Sequence, residues 1–145
     1  MDRKVVINNK VFFDEIQFHL AKGKAVSFVI RGESMRPFLF EGDKVQVRRA
    51  DLQRVKLGDI LLAKWRGNYV LHRLVRKRKN KFGLAGDANF SQIEWVEEGN
   101  VIAKVVGATR GEEKLRNPED GLNRILGVLW FYMRPARRMV AKIKK

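Results

Sequence analysis

The chain contains no cysteine, only three prolines and two histidines, and no apolar run near the roughly 20 residues that cross a bilayer. Without cysteine there is no disulfide scaffold, and with His19 and His72 as the sole imidazoles no tetrahedral Cys/His zinc site can be assembled. A carboxylate-rich metal site would need its acids clustered, so no metal or other cofactor is expected. The opening Met1-Asp2-Arg3-Lys4-Val5-Val6-Ile7-Asn8-Asn9 is too short of apolar residues for a secretory signal, so the expected location is the cytoplasm. Acidic residues are scarce as well: 16 Asp and Glu stand against 31 Lys and Arg, a net charge of +15 over 145 residues. What remains is 45% apolar, enough for one core-bearing domain and too much for intrinsic disorder.

A charge of this size attracts polyanions of any kind: nucleic acid, an anionic membrane or an acidic protein. The excess concentrates in residues 73–81 and 134–145, each with six basic residues and no acidic one. The first stretch lies between apolar segments and reads as the solvated tip of a hairpin. The second follows Ile125-Leu126-Gly127-Val128-Leu129-Trp130-Phe131-Tyr132-Met133. An apolar stripe with Trp, Tyr and Met bounded by basic residues suits a helix lying in a lipid headgroup region, so residues 121–145 suggest an anionic membrane surface as partner. The alternative is a C-terminal helix docked on its own core. For nucleic acid there is no helix-turn-helix spacing, RNA-recognition signature or metal finger, which leaves that partner resting on charge alone.

Residues 11–22 place Phe12, Ile16 and Leu20 at i, i+4 and i+8, with Gly23 just beyond, and read as an amphipathic helix with a glycine stop. From Ala25 the period changes. Short apolar runs at 25–30, 44–48, 60–65, 69–75, 82–85 and 101–106, separated by Gly, Asp and Asn, predict a mostly antiparallel β domain. Arg66-Gly67-Asn68 is the clearest hairpin turn. The organisation expected is an N-terminal helix in 1–24, a β domain over 25–107, and a polar connector with a basic amphipathic helix over 108–145, all in one domain.

Three residues draw attention as chemistry. Ser34 sits in Arg31-Gly32-Glu33-Ser34-Met35-Arg36-Pro37, between a residue that frees the backbone and one that fixes it. A rigid turn of this kind can aim Oγ outward beside an exposed N–H, as a nucleophile needs, although serine in a Gly/Pro turn is commonly a turn residue. His72 shares a strand face with Val70 and Leu74, where a lone imidazole is either a base or a satisfied core histidine. Asp87, after the run 82–85, either orients that imidazole or stabilises a turn.

Taken in order, Gly32-Glu33-Ser34-Met35-Arg36-Pro37, Glu41-Gly42-Asp43-Lys44-Val45, Leu57-Gly58-Asp59-Ile60, Leu71-His72-Arg73-Leu74-Val75, Gly86-Asp87-Ala88-Asn89 and Val101-Ile102-Ala103-Lys104-Val105-Val106-Gly107 resemble the motifs of the LexA/signal-peptidase superfamily of serine peptidases, over about residues 25–107. The resemblance implies a β-rich fold and hydrolysis of an extended leader or signal segment. His72-Arg73-Leu74 is similar to the histidine-using, endoplasmic-reticulum and archaeal-type branch rather than the lysine-using one. Carried over, Ser34 is the nucleophile, His72 the general base and then acid, and Asp87 the carboxylate near the base. The chain departs from the pattern in three places. Gly32 stands where many signal peptidases carry an oxyanion-binding serine. No aspartate aligns after the Gly-Asp box, where Gln92 and Ile93 fall and Glu94 follows, so the orienting carboxylate is open between Asp87 and Glu94. No segment of these residues is expected to form the membrane anchor that the signal peptidases carry. Three functions follow from this reading: a small serine endopeptidase, peripheral on the membrane through 121–145; a non-catalytic peptide-binding descendant of the fold; and a basic nucleic-acid-binding protein.

Overall fold

A computed structural model describes residues 9–89 and 92–144. Residues 1–8, and Lys145 at the end of the basic segment, lie outside it. The described chain runs α1 (Asn9–Ala21), β1 (Val26–Val29), β2 (Lys44–Arg49), β3 (Ile60–Trp65), β4 (Asn68–Arg78), β5 (Lys81–Ala85), β6 (Glu94–Glu97), β7 (Val101–Arg110), β8 (Glu113–Lys114), α2 (Gly121–Tyr132) and α3 (Arg134–Lys144).

The eight strands form one antiparallel half-barrel sheet in the order β1-β2-β7-β3-β4-β5-β6, with β8 beside β7. Register shifts at Gln46/Val47, Leu62/Ala63 and Leu74/Arg76 let the sheet curl, as bulges do. The Trp65↔Asn68 pair leaves Arg66 and Gly67 as a two-residue turn with φ of 51° and 78°. Two successive positive φ values match the right-handed twist of the flanking strands. The antiparallel β architecture read from the sequence is thus the one observed.

The side-chain period of two divides the core. Ile60, Leu62, Ala103, Val45, Val47 and Val105 face one side, where Ile16 and Leu20 of α1 cover them. Leu61, Ala63, Leu74, Leu84, Phe82 and Val96 face the other. Phe12, grouped with Ile16 and Leu20 by the helical period, instead lies at the rim, 40% exposed, with its ring edge-on to Phe13 and Phe28. Gly23, at φ 80°, closes α1 by donating to the Leu20 carbonyl at 2.9 Å.

The C-terminal segment is two helices rather than one. Asp120 caps α2 by accepting from the Leu122 N–H at 3.2 Å, and Met133 ends it. Pro135 then falls in the first turn of α3, where its missing N–H costs nothing, whereas inside one continuous helix it would remove a bond and clash. The inner face of α2 is docked on the sheet: Phe131 packs with Val75 and Ala85. At Gly127 the fit is so close that a Cβ would stand 2.3 Å from the Arg73 guanidinium carbon. That guanidinium is pinned by its own hydrogen bonds, described below, so it cannot swing aside. We expect Gly127→Ala to push α2 off the sheet and to lower stability by about 1–3 kcal/mol, outweighing the roughly 1 kcal/mol that alanine gains in helix propensity. Thermal unfolding with Trp130 fluorescence as probe checks this.

Candidate active site

The residues that meet at the site come from three places in the chain. Ser34 lies in the turn after β1, where Gly32 takes φ 81° and the Arg36–Pro37 peptide is cis. Met35 and Leu39 are buried and anchor this turn, while Ser34 itself is exposed. His72 comes from the middle of β4, opposite Leu61 on β3. Glu94 opens β6, opposite Leu84, which in turn stands opposite Leu74. The alternation of β4 therefore puts His72 and Leu74 on the same side as Leu84 and Glu94, and Arg73 on the reverse side.

Three groups form one line. His72 Nε2 lies 3.1 Å from Ser34 Oγ, and His72 Nδ1 lies 2.7 Å from Glu94 Oε1. The imidazole is 12% exposed and the Glu94 side chain 4%, so the line is open to solvent only at its serine end. A carboxylate can only accept, which assigns the proton to Nδ1 and leaves the Nε2 lone pair facing the serine hydroxyl. The arrangement can take a proton from Ser34 and balance the resulting imidazolium with the Glu94 charge.

Asp87 occupies a different place from the one its position in the sequence suggests. Its two carboxyl oxygens accept from Arg73 Nε at 2.8 Å and Arg73 Nη2 at 2.7 Å, on the reverse side of β4 from His72. Arg73 also donates from Nη1 to the Gly58 carbonyl at 2.8 Å and stacks under Phe38, 4.9 Å from the ring centroid. The reading of residues 73–81 as a solvated hairpin tip holds for 76–81, which are exposed around the Lys79-Asn80 turn, and is corrected at its start, where Arg73 is 0% exposed. Burial holds the Asp87 carboxyl above its usual value, an effect the Arg73 guanidinium opposes only in part.

This buried pair holds the loop that holds the serine. The Ala88 N–H donates to the Ser34 carbonyl at 2.9 Å. The Asp87 carbonyl accepts from Trp130 Nε1 at 2.8 Å and Arg137 Nη1 at 2.9 Å, so α2 and α3 brace the same loop. Beside it, Gly86 is packed against both the Ser34 backbone and the His72 ring. A Cβ there would stand 2.7 Å from the Ser34 carbonyl oxygen and 3.1 Å from His72 Nε2. Gly86→Ala is expected to separate Ser34 from His72, lowering any Ser34-dependent turnover more than tenfold at a stability cost of about 1–3 kcal/mol. Turnover and thermal unfolding measured on one preparation separate the two effects.

Asp43 ties down the far end of the Ser34 turn. Its carboxylate accepts from Arg110 Nε at 2.8 Å, from Arg110 Nη2 at 2.9 Å and from the Phe40 N–H at 2.8 Å. The Arg110 hydrogen bond holds the Asp43 carboxyl below its usual 3.8, against the opposing effect of burial. A carboxyl lowered in the fold stabilises it above the unfolded value, and that contribution is lost as pH falls through 3.8 toward the folded value. The stability gap between wild type and Asp43→Asn should therefore be full at neutral pH and close below about pH 4. Denaturant unfolding across that range tests the sign.

Among the described residues no helix is long and apolar enough to cross a membrane. No curated protein matches the chain. The model of the Peptidase S24-like family matches residues 3–106, well over half the sequence. With an antiparallel half-barrel, an exposed serine in the turn after β1 and an imidazole within reach of it, the chain belongs to the Peptidase S24-like family, within the LexA/signal-peptidase superfamily of serine peptidases.

Proposed function

We propose that this chain is a serine endopeptidase that cleaves an extended peptide or protein segment of the leader or signal type, with Ser34 as nucleophile, His72 as general base and then acid, and Glu94 as the carboxylate that orients His72. The observation that carries this reading is the unbroken line Ser34–His72–Glu94 at 3.1 and 2.7 Å. In the reaction Ser34 Oγ attacks the scissile carbonyl carbon while its proton passes to His72 Nε2. The tetrahedral intermediate then collapses, and His72 returns the proton to the departing amine. Water, deprotonated by the same imidazole, hydrolyses the Ser34 ester and releases the second product. Positioned proton transfer of this kind contributes about 10²–10⁴ in rate.

The oxyanion needs donors that are free to turn to it. The Ser34 backbone N–H forms no hydrogen bond among the described residues, which suits it to that role. Gly32 has no side chain to add to it. The extended form of the substrate is supported by β1, an edge strand of the sheet that runs straight into the Ser34 turn. A peptide that pairs with such an edge gains main-chain hydrogen bonds before any side chain is read.

The test is digestion of a mixed peptide library by wild type, Ser34→Ala and His72→Ala. Wild type should produce a defined set of cleavages that both variants lose while keeping the wild-type circular dichroism. Cleavage that survives in either variant would end this mechanism, and binding without cleavage by wild type would make the chain a peptide-binding module.

A further inference from the structure

A helix on the surface of a water-soluble domain turns its apolar face inward and its charges outward. Here α2 is apolar on its outward face as well as its inward one, and α3 turns two arginines inward. In α2 the inner contacts are made by Gly127 and Phe131, together with Trp130 through its indole N–H. The outward positions Leu122, Ile125, Leu126, Leu129, Tyr132 and Met133 recur at i, i+3, i+4, i+7, i+10 and i+11, one continuous stripe with no charged member. In α3 the inner contacts are made by arginines: Arg134 Nη2 donates to the Gln92 carbonyl and Arg137 Nη1 to the Asp87 carbonyl. With Arg134 and Arg137 turned inward, Met139, Val140 and Ile143 are left pointing outward beside the exposed Arg138 and Lys142. These nine side chains are 42–79% exposed. A patch of this size and continuity is a binding surface rather than the scattered apolar exposure of an ordinary monomer.

The charge around the patch selects its occupant. Residues 121–145 carry seven basic residues and no acidic one; Arg124, Arg134 and Arg137 are turned to the domain, and Arg138 and Lys142 are exposed beside the patch. A second copy of the chain would bring two such clusters together, on molecules of net charge +15, and repel. An anionic bilayer accepts both features, apolar side chains at the headgroup boundary and lysines and arginines at the phosphates. We propose that α2 and α3 together form a lipid-docking face that holds this protein on an anionic membrane surface. Trp130 of α2 is edge-on to Phe38 of the Ser34 turn, with centroids 6.3 Å apart, so the docked face lies next to the candidate site. The proposal concerns where the protein sits and stands whether or not Ser34 cleaves anything.

Flotation of the full-length chain with vesicles tests it. Wild type should float with vesicles of two parts phosphatidylcholine to one part phosphatidylglycerol and stay behind with phosphatidylcholine alone. The triple variant Leu129→Ser, Met139→Ser, Ile143→Ser should keep its circular dichroism and lose roughly tenfold in partitioning per side chain. Lys142→Gln, Lys144→Gln and Lys145→Gln together should lose about fivefold per charge and flatten the salt dependence. A wild type that stays behind with the anionic vesicles, or floats equally with both, overturns the proposal. So does one that forms dimers in light scattering that the three serine substitutions dissolve.

Discussion

Glu94→Gln should leave thermal unfolding within a few degrees of wild type and lower peptide cleavage on the order of 10²–10⁴-fold. Glutamine keeps the volume and can still hydrogen-bond Nδ1, so the buried site is filled and the strand pairing Leu84↔Glu94 is undisturbed. What disappears is the negative charge 2.7 Å from the ring, needed when His72 takes the Ser34 proton. If the amide turns its nitrogen to the ring, the proton is forced onto Nε2 and the base is lost as well. The loss should appear in kcat more than in KM, because the interaction is made in the transition state and not with the bound substrate. Unchanged turnover would remove Glu94 from the mechanism and return the orienting role to another carboxylate.

Asp87→Ala should do the opposite, costing stability first. Arg73 is wholly buried, and without Asp87 its charge is left with the Gly58 carbonyl and the face of Phe38. Removing one partner of a buried pair typically costs about 3–5 kcal/mol. Against a total of about 5–15 kcal/mol for a domain, that lowers the unfolding temperature by on the order of 10 °C. Replacing both partners, Arg73→Met with Asp87→Leu, should recover much of the stability, since an apolar pair leaves no orphaned charge. Turnover should not recover with it, because the 86–89 loop that donates to the Ser34 carbonyl would have lost its tie to β4. Thermal unfolding and turnover measured on the single and double variants distinguish this buttress from a direct part in the reaction.

The contrast between these two carboxylates shows where sequence ran out. Helix α1 with its glycine stop, the Arg66-Gly67 hairpin and the long central strands were legible because each depends on neighbours in the chain. So was the alternation that sets His72 on one face of β4 and Arg73 on the other. Strand β6 was missed because it has only Trp95 and Val96 between two glutamates, too few apolar residues to show a period. That omission left the choice between Asp87 and Glu94 open, because Glu94 reaches His72 only through the registers of β4 with β5 and β5 with β6. Asp87, close to His72 in the motif order, is claimed by the neighbouring arginine instead. Nor could residues 73–81 reveal that their first arginine is buried, since its partner lies 14 positions on. The C-terminal segment posed a choice between core and surface, and the helices divide it: one face is docked, and an apolar face remains outside.

The most direct measurement compares new protein N-termini in cells expressing wild type or Ser34→Ala at equal levels. If Ser34 is the nucleophile, a set of termini sharing one cleavage rule appears with wild type and is absent with Ser34→Ala. Identical sets of termini in the two, with candidate leader peptides and membranes supplied, would contradict a peptidase built on Ser34 and His72.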